Sequence, residues 1–201
     1  MIEKSPTLAR LIRHLQQVPY LASKNLYRVL GYILTMEQEK ADQLCSAILE
    51  AKKNIVLCST CFCWQDRTIP CTYCDPRRDQ AIICVVETWH ELIAVEKTAG
   101  YKGAYHVLGG ALSPLDGIEP SDLRINELVA RVNDSQSVIK EIILATNQTP
   151  EGEATAAYIA NRLKTTGIII SCLARGVPVG ASLEFMDKVT VYKALSDRRP
   201  F

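Results

Sequence analysis

Four of the chain's eight cysteines fall in one short segment, as two Cys-x-x-Cys pairs separated by nine residues. The four are Cys58, Cys61, Cys71 and Cys74. Thiolates with this spacing can surround one Zn²⁺ ion tetrahedrally, at about 2.3 Å from each sulfur. Because the protein would fill all four positions, we predict one structural zinc ion per chain rather than a catalytic one. The metal would fold a segment too small to have its own core.

The other cysteines are interpreted differently. Cys63 follows Cys61 by two residues, and because Cys-x-Cys does not form the usual ligand pair, we expect this thiol to be free. Cys45, Cys84 and Cys172 lie in helical or apolar stretches and are predicted to belong to the core. For the paired cysteines, a redox pair or plain buried thiols are the alternatives to metal binding.

Acidic and polar side chains follow two of the predicted strands. Glu87 ends the first apolar strand, and Asn147, Thr149, Glu151 and Glu153 come just after another. In a parallel sheet, ligands gather at the carboxyl ends of strands. Glu151 and Glu153 could equally complement the dipole of the helix that follows. A binding role and a helix-start role both stay open.

Basic residues are concentrated at the N-terminus, although the whole chain carries a net charge of only +1. Residues 1–28 have a local net charge of +4, five basic residues minus one acidic. This segment is the best electrostatic candidate for phosphate contact, with a solvated helix face as the alternative. The charged residues are Lys4, Arg10, Arg13, Lys24 and Arg28, against Glu3.

Apolar periodicity predicts which elements hold these residues. Helical spacing predicts helices over residues 6–17, over a second segment capped by Ser23 or Asn25, and over residues 41–53. From Ala81 onward, short apolar runs alternate with helical patterns, which indicates an α/β domain with a parallel sheet. The predicted strands lie within 81–86, 104–108, 141–145 and 167–174, and the helices over 89–97, 123–132 and 151–163.

The residues at the predicted strand ends resemble the Toprim domain of topoisomerases, primases and some nucleases. In that family a strand-end Glu and an Asp-x-Asp pair hold Mg²⁺. Type IA topoisomerases carry Ala-Thr-Asp-x-Asp-x-Glu-Gly-Glu, whereas residues 145–153 read Ala-Thr-Asn-Gln-Thr-Pro-Glu-Gly-Glu. Asn147 and Thr149 thus replace both aspartates, and neutral oxygens serve Mg²⁺ poorly. The resemblance therefore implies a degenerate Toprim domain with no catalytic residues.

The order of an N-terminal helical hairpin, a four-cysteine finger and a degenerate Toprim segment is similar to that of the RecR family of recombination mediators. The stretches 113–123, 145–160 and 176–180 match this family as well, so the resemblance covers essentially the whole chain. It implies four parts. These are a helix-hairpin-helix-like region (1–54), a zinc finger (55–77), a Toprim domain (78–175) and a C-terminal segment (176–201).

The same resemblance implies a function and partners. It predicts a non-enzymatic, cytoplasmic DNA-binding protein that acts with RecO and RecF to load RecA on gapped or single-stranded DNA, and that forms a homotetrameric ring. Lys24 and Arg28 match the family's basic positions and are the expected DNA contacts. Glu87, Asn147, Glu151 and Glu153 are expected to form the degenerate Toprim site or a surface for a basic partner.

One turn departs from the family, and two other functions stay open. The family's Pro-Gly-Val-Gly hairpin is replaced by Pro19-Tyr20-Leu21-Ala22, so we expect a reshaped or strained turn. The first alternative function is a Mg²⁺-dependent nuclease or topoisomerase-like enzyme using Glu87, Glu151 and Glu153. The second is a zinc-stabilised nucleic-acid-binding protein without a repair partner.

Overall fold

A computed structural model describes residues 5–21 and 23–198 of the chain. The chain divides into two compact units, Met1–Ile55 and Val56–Phe201. In the described part, no helix is long and apolar enough to cross a membrane. The further division of the second unit into finger, Toprim domain and C-terminal segment stays a prediction.

The first unit consists of three helices, α1 (Pro6–Gln16), α2 (Ser23–Thr35) and α3 (Gln38–Asn54). Helix α1 begins as predicted, with Pro6 in its first turn and the Ser5 hydroxyl accepting a hydrogen bond from the Leu8 amide. Asn25 lies inside α2, so its predicted capping role was wrong. The predicted cap at Ser23, the first residue of the helix, stays a prediction because residue 22 before it lies outside the described part. The two buried residues of α2 are Leu26 and Leu30.

The turn between α1 and α2 contains a strained residue. Tyr20 has a φ of 65°, in the left-handed region that costs a residue with a Cβ roughly 1–2 kcal/mol. The Leu21 amide donates a hydrogen bond to the Val18 carbonyl and closes the turn. The expected strain is therefore present at Tyr20, while Ala22 lies outside the described residues.

Helix α3 keeps its apolar side at the surface. The prediction that Cys45 belongs to the core is wrong, because its side chain is exposed. Leu44, Ile48 and Leu49 on the same helix are exposed as well. The apolar spacing predicted the helix correctly, but spacing alone does not show whether another element covers that face.

The second unit begins with the cysteine-rich segment. Two short strands, β1 (Ile55–Leu57) and β2 (Trp64–Asp66), form a two-stranded sheet, and a 3₁₀ turn follows at Thr72–Cys74. The remaining elements alternate between strand and helix. They are β3 (Asp79–Val86), α4 (Trp89–Lys97), β4 (Gly103–Val107), α5 (Ile125–Asn133), β5 (Glu141–Leu144), α6 (Pro150–Leu163), β6 (Ile169–Cys172) and α7 (Lys188–Ser196).

A four-stranded parallel sheet in the order β4-β3-β5-β6 is the centre of the second unit. Its register aligns Val85 with Leu144 and Val86 with Val107, so the carboxyl ends of β3, β4 and β5 meet at one edge. Apolar side chains pack in two buried clusters, one of which includes Cys58, Cys61 and Cys63 with residues of β3 and β4. The predicted α/β fold with a parallel sheet is therefore confirmed. Cys84 in β3 is buried as predicted, but the predicted core position of Cys172 is wrong, because this residue ends the edge strand β6 and is exposed.

The C-terminal segment returns to helix α6. Asp187 caps α7 by accepting hydrogen bonds from the amides of Val189 and Thr190. Lys193 on α7 forms an ion pair with Glu153 on α6, with an Nζ to Oε1 distance of 2.5 Å. Residues 199–201 lie outside the described part of the chain.

Candidate metal centre and nucleic-acid interface

The four predicted cysteine ligands converge. The sulfur atoms of Cys58, Cys61, Cys71 and Cys74 all lie within 4.8 Å of one another. The Cys58–Cys74 and Cys61–Cys71 sulfur distances are 3.7 and 3.5 Å. Tetrahedral bonds of about 2.3 Å would place the sulfurs about 3.8 Å apart, so the cluster fits one four-coordinate ion.

A tight turn presents the first two sulfurs. The Cys58 amide donates to the Cys63 carbonyl at 2.8 Å, and the Phe62 amide donates to the Cys58 carbonyl at 3.0 Å. Phe62 has a φ of 59°, so this turn uses the left-handed region without a glycine. The Thr60 amide donates to the Cys58 sulfur at 3.4 Å, which holds this sulfur within the turn.

Cys63 lies outside the four-sulfur group although it is fully buried. Burial raises the pKa of its thiol to about 12, which keeps the thiol protonated at neutral pH. Within the group, hydrogen bonding between Cys61 and Cys74 raises the pKa of Cys61 and lowers that of Cys74. Among the four thiols, that of Cys74 therefore loses its proton most easily, and metal binding requires deprotonated thiols.

The cysteine-rich segment is attached to the sheet through β4, an edge strand. The Val107 amide donates to the Cys61 carbonyl at 2.8 Å. Arg78, which follows the last cysteine pair, forms an ion pair with Glu96 of α4 at 2.6 Å, and the Tyr105 hydroxyl donates to the same carboxylate at 2.7 Å. The four-cysteine cluster thus lies against the outer edge of β4, a position that suits a structural support.

At the carboxyl end of β3, the buried Glu87 carboxylate is fully engaged with Asn147. Its Oε1 accepts from the Asn147 backbone amide and its Oε2 from the Asn147 side-chain amide, both at 2.7 Å. The same side-chain nitrogen lies 3.3 Å from Glu91 Oε1. Because carboxylates only accept, the Asn147 NH₂ group must face both acids. A neutral donor therefore occupies the space between two carboxylates.

Sequence reasoning did not single out Glu91, although a local signal was present. Thr88 and Glu91 form a capping box, in which the Thr88 amide donates to Glu91 Oε2 at 2.8 Å. Burial opposes ionisation of Glu91, but hydrogen bonds from Thr88 and Asn147 lower its pKa overall. The Thr-x-x-Glu pattern before an apolar run could have identified this residue.

The other residues predicted for the acidic site do not join Glu87 in one cluster. Thr149 caps α6 by accepting from the Gly152 amide at 3.1 Å, and Glu151 is exposed in the first turn. Glu153 pairs with Lys193 and, at 3.3 Å, with Arg175, and the Lys193 hydrogen bond is the main cause of its lowered pKa. Within the described residues, Glu87, Glu151 and Glu153 do not form a metal-binding group.

Both predicted DNA contacts lie on the exposed surface of α2. Lys24 and Arg28 are one helical turn apart, and neither forms an ion pair with any described residue. Arg10 and Arg13 are exposed on α1, while Glu3 and Lys4 lie outside the described part. Within the described part of the chain, Lys24 and Arg28 therefore present unpaired positive charge to solvent on α2.

Comparison with known proteins defines the class first. A family model of the Toprim domain matches residues 81–174, which span the sheet from β3 to β6, and a model of the RecR C-terminal region matches residues 176–199. The protein is thus a Toprim-domain α/β protein with a four-cysteine cluster that fits a zinc finger.

Full-length relatives then give the family. The chain is 46% identical to the recombination protein RecR of Myxococcus xanthus over 96% of both chains. It is 45% identical to that of Heliobacterium modesticaldum over 96% of both, and 46% identical to that of Moorella thermoacetica over 95% of both. The chain therefore belongs to the RecR family of recombination proteins, which places its function in DNA recombination and repair.

Proposed function

We propose that this protein is a non-enzymatic mediator of recombinational repair. It binds DNA and, together with RecO and RecF, loads RecA on gapped or single-stranded DNA in the cytoplasm. Its relatives' shared name of recombination protein supports the repair role. The hydrogen bonds of Asn147 carry the non-enzymatic part of the proposal.

The Asn147 amide argues against a Mg²⁺-dependent reaction at this edge of the sheet. A divalent ion would need the oxygens of Glu87 and Glu91, but the Asn147 NH₂ group already donates to both carboxylates. Phosphoryl transfer relies on a metal ion to neutralise developing charge. With a neutral donor in this position, the Toprim fold acts as a scaffold and no side chain has a catalytic role.

Lys24 and Arg28 make the phosphate contacts in this proposal. Both are exposed on one face of α2 and have no carboxylate partner among the described residues. A chain with a net charge of only +1 can still bind DNA if assembly brings several copies of a basic pair together. A homotetrameric ring would provide four such pairs.

Glu151 is the acidic residue best suited to a basic partner protein. Glu87 is buried against Asn147, and Glu153 is neutralised by Lys193 and Arg175. Glu151 is exposed at the start of α6. We therefore assign partner contact to Glu151 and structural roles to Glu87, Asn147 and Glu153.

The metal in the four-cysteine cluster is a structural Zn²⁺ ion, one per chain. The all-thiolate donor set and the sulfur distances of 3.5 and 3.7 Å suit tetrahedral zinc. The cluster leaves no position for a substrate. The ion holds the cysteine-rich segment against β4.

Co-purification with RecO, followed by a mobility shift on gapped DNA, tests partner and ligand together. We expect a complex that Glu151→Arg weakens and that the control Glu184→Arg, at another exposed acid, leaves intact. Mg²⁺-dependent nicking of plasmid DNA that disappears in Glu87→Ala would contradict the proposal. Binding to DNA without any association with RecO would instead support a nucleic-acid-binding protein outside this repair pathway.

A further inference from the structure

A cleft of about 360 Å³ opens at the carboxyl ends of β3 and β4, between the cysteine-rich segment and the sheet. This volume lies in the range of sites for small organic ligands. None of the functions proposed above uses it. Its main lining side chains are Leu57, Phe62, Trp64, Trp89, Val107 and Arg124.

The two tryptophans in this cleft are the only two in the chain. Trp64 is 50% exposed and Trp89 is 39% exposed, although large aromatic rings normally contribute most when they are buried. Trp64 belongs to β2 of the cysteine-rich segment, and Trp89 begins α4 of the Toprim domain. Two elements distant in sequence thus bring both indole rings to one opening.

Arg124 supplies the positive charge of the cleft. Its guanidinium lies 5.4 Å from the centre of the Phe62 ring and donates to Glu127 at 3.2 Å. Its backbone is held on both sides, because its carbonyl accepts from the buried His106 ring at 2.7 Å and its amide donates to Leu108 at 2.9 Å. The backbone of Arg124 is therefore fixed in the wall of the cleft, and its guanidinium retains further N–H groups for a ligand.

One carboxylate, that of Asp122, also faces the cleft, but it already accepts a hydrogen bond within the protein. Asp122 lines the cleft and accepts a hydrogen bond from the Glu119 amide at 2.8 Å. The N-terminus of α4 also faces the cleft, where Thr88 and His90 line it. The helix dipole adds partial positive charge at this end. The cleft is thus lined mainly by apolar and aromatic side chains, with Arg124 as the one guanidinium and Asp122 as the one carboxylate among the described lining residues.

A flat aromatic ligand that carries one negative charge matches this arrangement. Successive bases of single-stranded DNA stack on exposed aromatic side chains, with arginine nearby for the backbone. An extended peptide that adds a strand to the sheet is disfavoured, because Cys61 already pairs with Val107 at this edge. Duplex DNA is disfavoured as well, because its paired bases are not available for stacking.

We infer that this cleft binds an unpaired base of single-stranded DNA, with the base stacked on Trp64 or Trp89 and its phosphate on Arg124. The inference rests on the proposed DNA-binding function and adds a contact selective for single strands. Lys24 and Arg28 would hold phosphates of any DNA. The tryptophan cleft would hold bases only where they are unpaired.

Intrinsic fluorescence tests the inference directly, because both emitting tryptophans belong to the cleft. Full-length, metal-loaded protein is titrated with an unlabelled oligothymidine and, separately, with an unlabelled duplex of equal length. We expect saturable quenching with the single strand and little change with the duplex. Removing the ring on which the base stacks, by Trp64→Ala or by Trp89→Ala, should weaken single-strand binding about tenfold. Both should leave duplex affinity within about twofold.

Matched variants separate stacking from folding. Trp64→Phe and Trp89→Phe keep an aromatic ring and should retain most of the affinity, and Tyr192→Ala removes an exposed ring from α7 and should change nothing. Metal content and thermal midpoint identify any misfolded variant, in which case the phenylalanine series and the quenching of wild-type protein decide. Tight single-strand binding without quenching, and with unaltered affinity in all tryptophan variants, overturns the inference but leaves the proposed function intact.

Two other outcomes are distinguishable. Loss of binding to a partner protein in the tryptophan variants, with unchanged DNA affinity, overturns the inference and makes the cleft a protein contact. Absence of binding to either form of DNA at low salt overturns both the inference and the proposed function.

Discussion

The side-chain nitrogen of Asn147 lies 2.7 Å from Glu87 Oε2 and 3.3 Å from Glu91 Oε1, so one neutral amide joins two carboxylates. In the Toprim pattern of metal-dependent enzymes, an aspartate stands at the position of Asn147. The amide satisfies both acids without a cation. This relationship shows how the strand-end glutamate is hydrogen-bonded without a bound cation, which supports the proposed non-enzymatic role.

Asn147→Asp should make the thermal stability of the protein depend on a cation bound at this edge of the sheet. Replacing the donor with a third carboxylate removes hydrogen bonds to charged groups, each worth about 1.5–3 kcal/mol, and adds repulsion. We expect a thermal midpoint several degrees below that of the wild type, with partial recovery in millimolar MgCl₂. Thermal unfolding with and without Mg²⁺ measures this, and Asn133→Asp at an exposed helix end is the control. A variant as stable as wild type without Mg²⁺ would contradict our interpretation of Asn147.

Gly152→Ala should destabilise the second unit strongly. A Cβ atom at this position would lie 2.1 Å from the Asn147 carbonyl oxygen and 2.7 Å from Glu87 Oε1. Such overpacking costs about 3 kcal/mol and lowers the thermal midpoint by roughly 6–12 °C. In Gly31→Ala the added methyl meets nothing within 4 Å and should stabilise α2 by up to about 1 kcal/mol. Equal effects from both changes, measured by thermal unfolding, would show that the α6 start is not closely packed.

Cys58→Ser should remove the metal and destabilise the second unit. Loss of a structural metal is among the most damaging single changes, so we expect a thermal midpoint at least about 10 °C lower. Zinc analysis of the purified chain should fall from one ion to none. Cys63→Ser, at a buried thiol outside the four-sulfur group, should keep one zinc ion. If Cys58→Ser loses the metal and keeps its midpoint, the support role assigned to the cluster is wrong.

His106 should make stability depend on pH in mildly acidic solution. The ring is buried and its Nε2 donates to the Arg124 carbonyl, and burial lowers the pKa of His106 to about 4. The unfolded chain takes up this proton near pH 6.5, so stability is complete above that pH and falls as pH drops from about 6.5 towards 4. Between pH 7.5 and 5.5 the loss is about 1.4 kcal/mol.

Denaturant unfolding at those two pH values checks this prediction. His106→Asn keeps a donor for the Arg124 carbonyl but does not titrate, so its loss of stability between pH 7.5 and 5.5 should be smaller by about the same 1.4 kcal/mol. Identical pH dependence in the wild type and the variant would mean that His106 carries no part of it.

The sequence predicted the elements better than their surroundings. Residues 89–97 form the predicted helix α4, and the apolar runs after Ala81 form the parallel sheet, because periodicity and local capping decide such segments. The convergence of the four cysteines was also predictable, since paired spacing fixes which sulfurs can meet.

Contacts between distant segments were not predictable from local patterns. Asn147 meets Glu87 across 60 residues, and Lys193 neutralises Glu153 across 40, so the acidic candidates acquired partners that no local pattern shows. Cys45 has helical apolar spacing, but only packing decides that it is exposed. The cleft could not be predicted for the same reason, because Trp64 and Trp89 come together only in the folded chain.

The salt dependence of DNA affinity in Lys24→Glu with Arg28→Glu is the most direct test of the central claim that this protein acts by binding DNA. We predict that the double variant binds single-stranded DNA at least tenfold more weakly and has a shallower slope of log K against log salt. The slope should decrease by about 1.4 for each subunit that contacts the strand. The control, Lys52→Glu with Lys53→Glu on α3, makes the same change in charge in the same unit and should retain most of the affinity and the slope. An unchanged affinity and slope in Lys24→Glu with Arg28→Glu, or an equal loss in the control, would contradict the assignment of DNA binding to this face of α2.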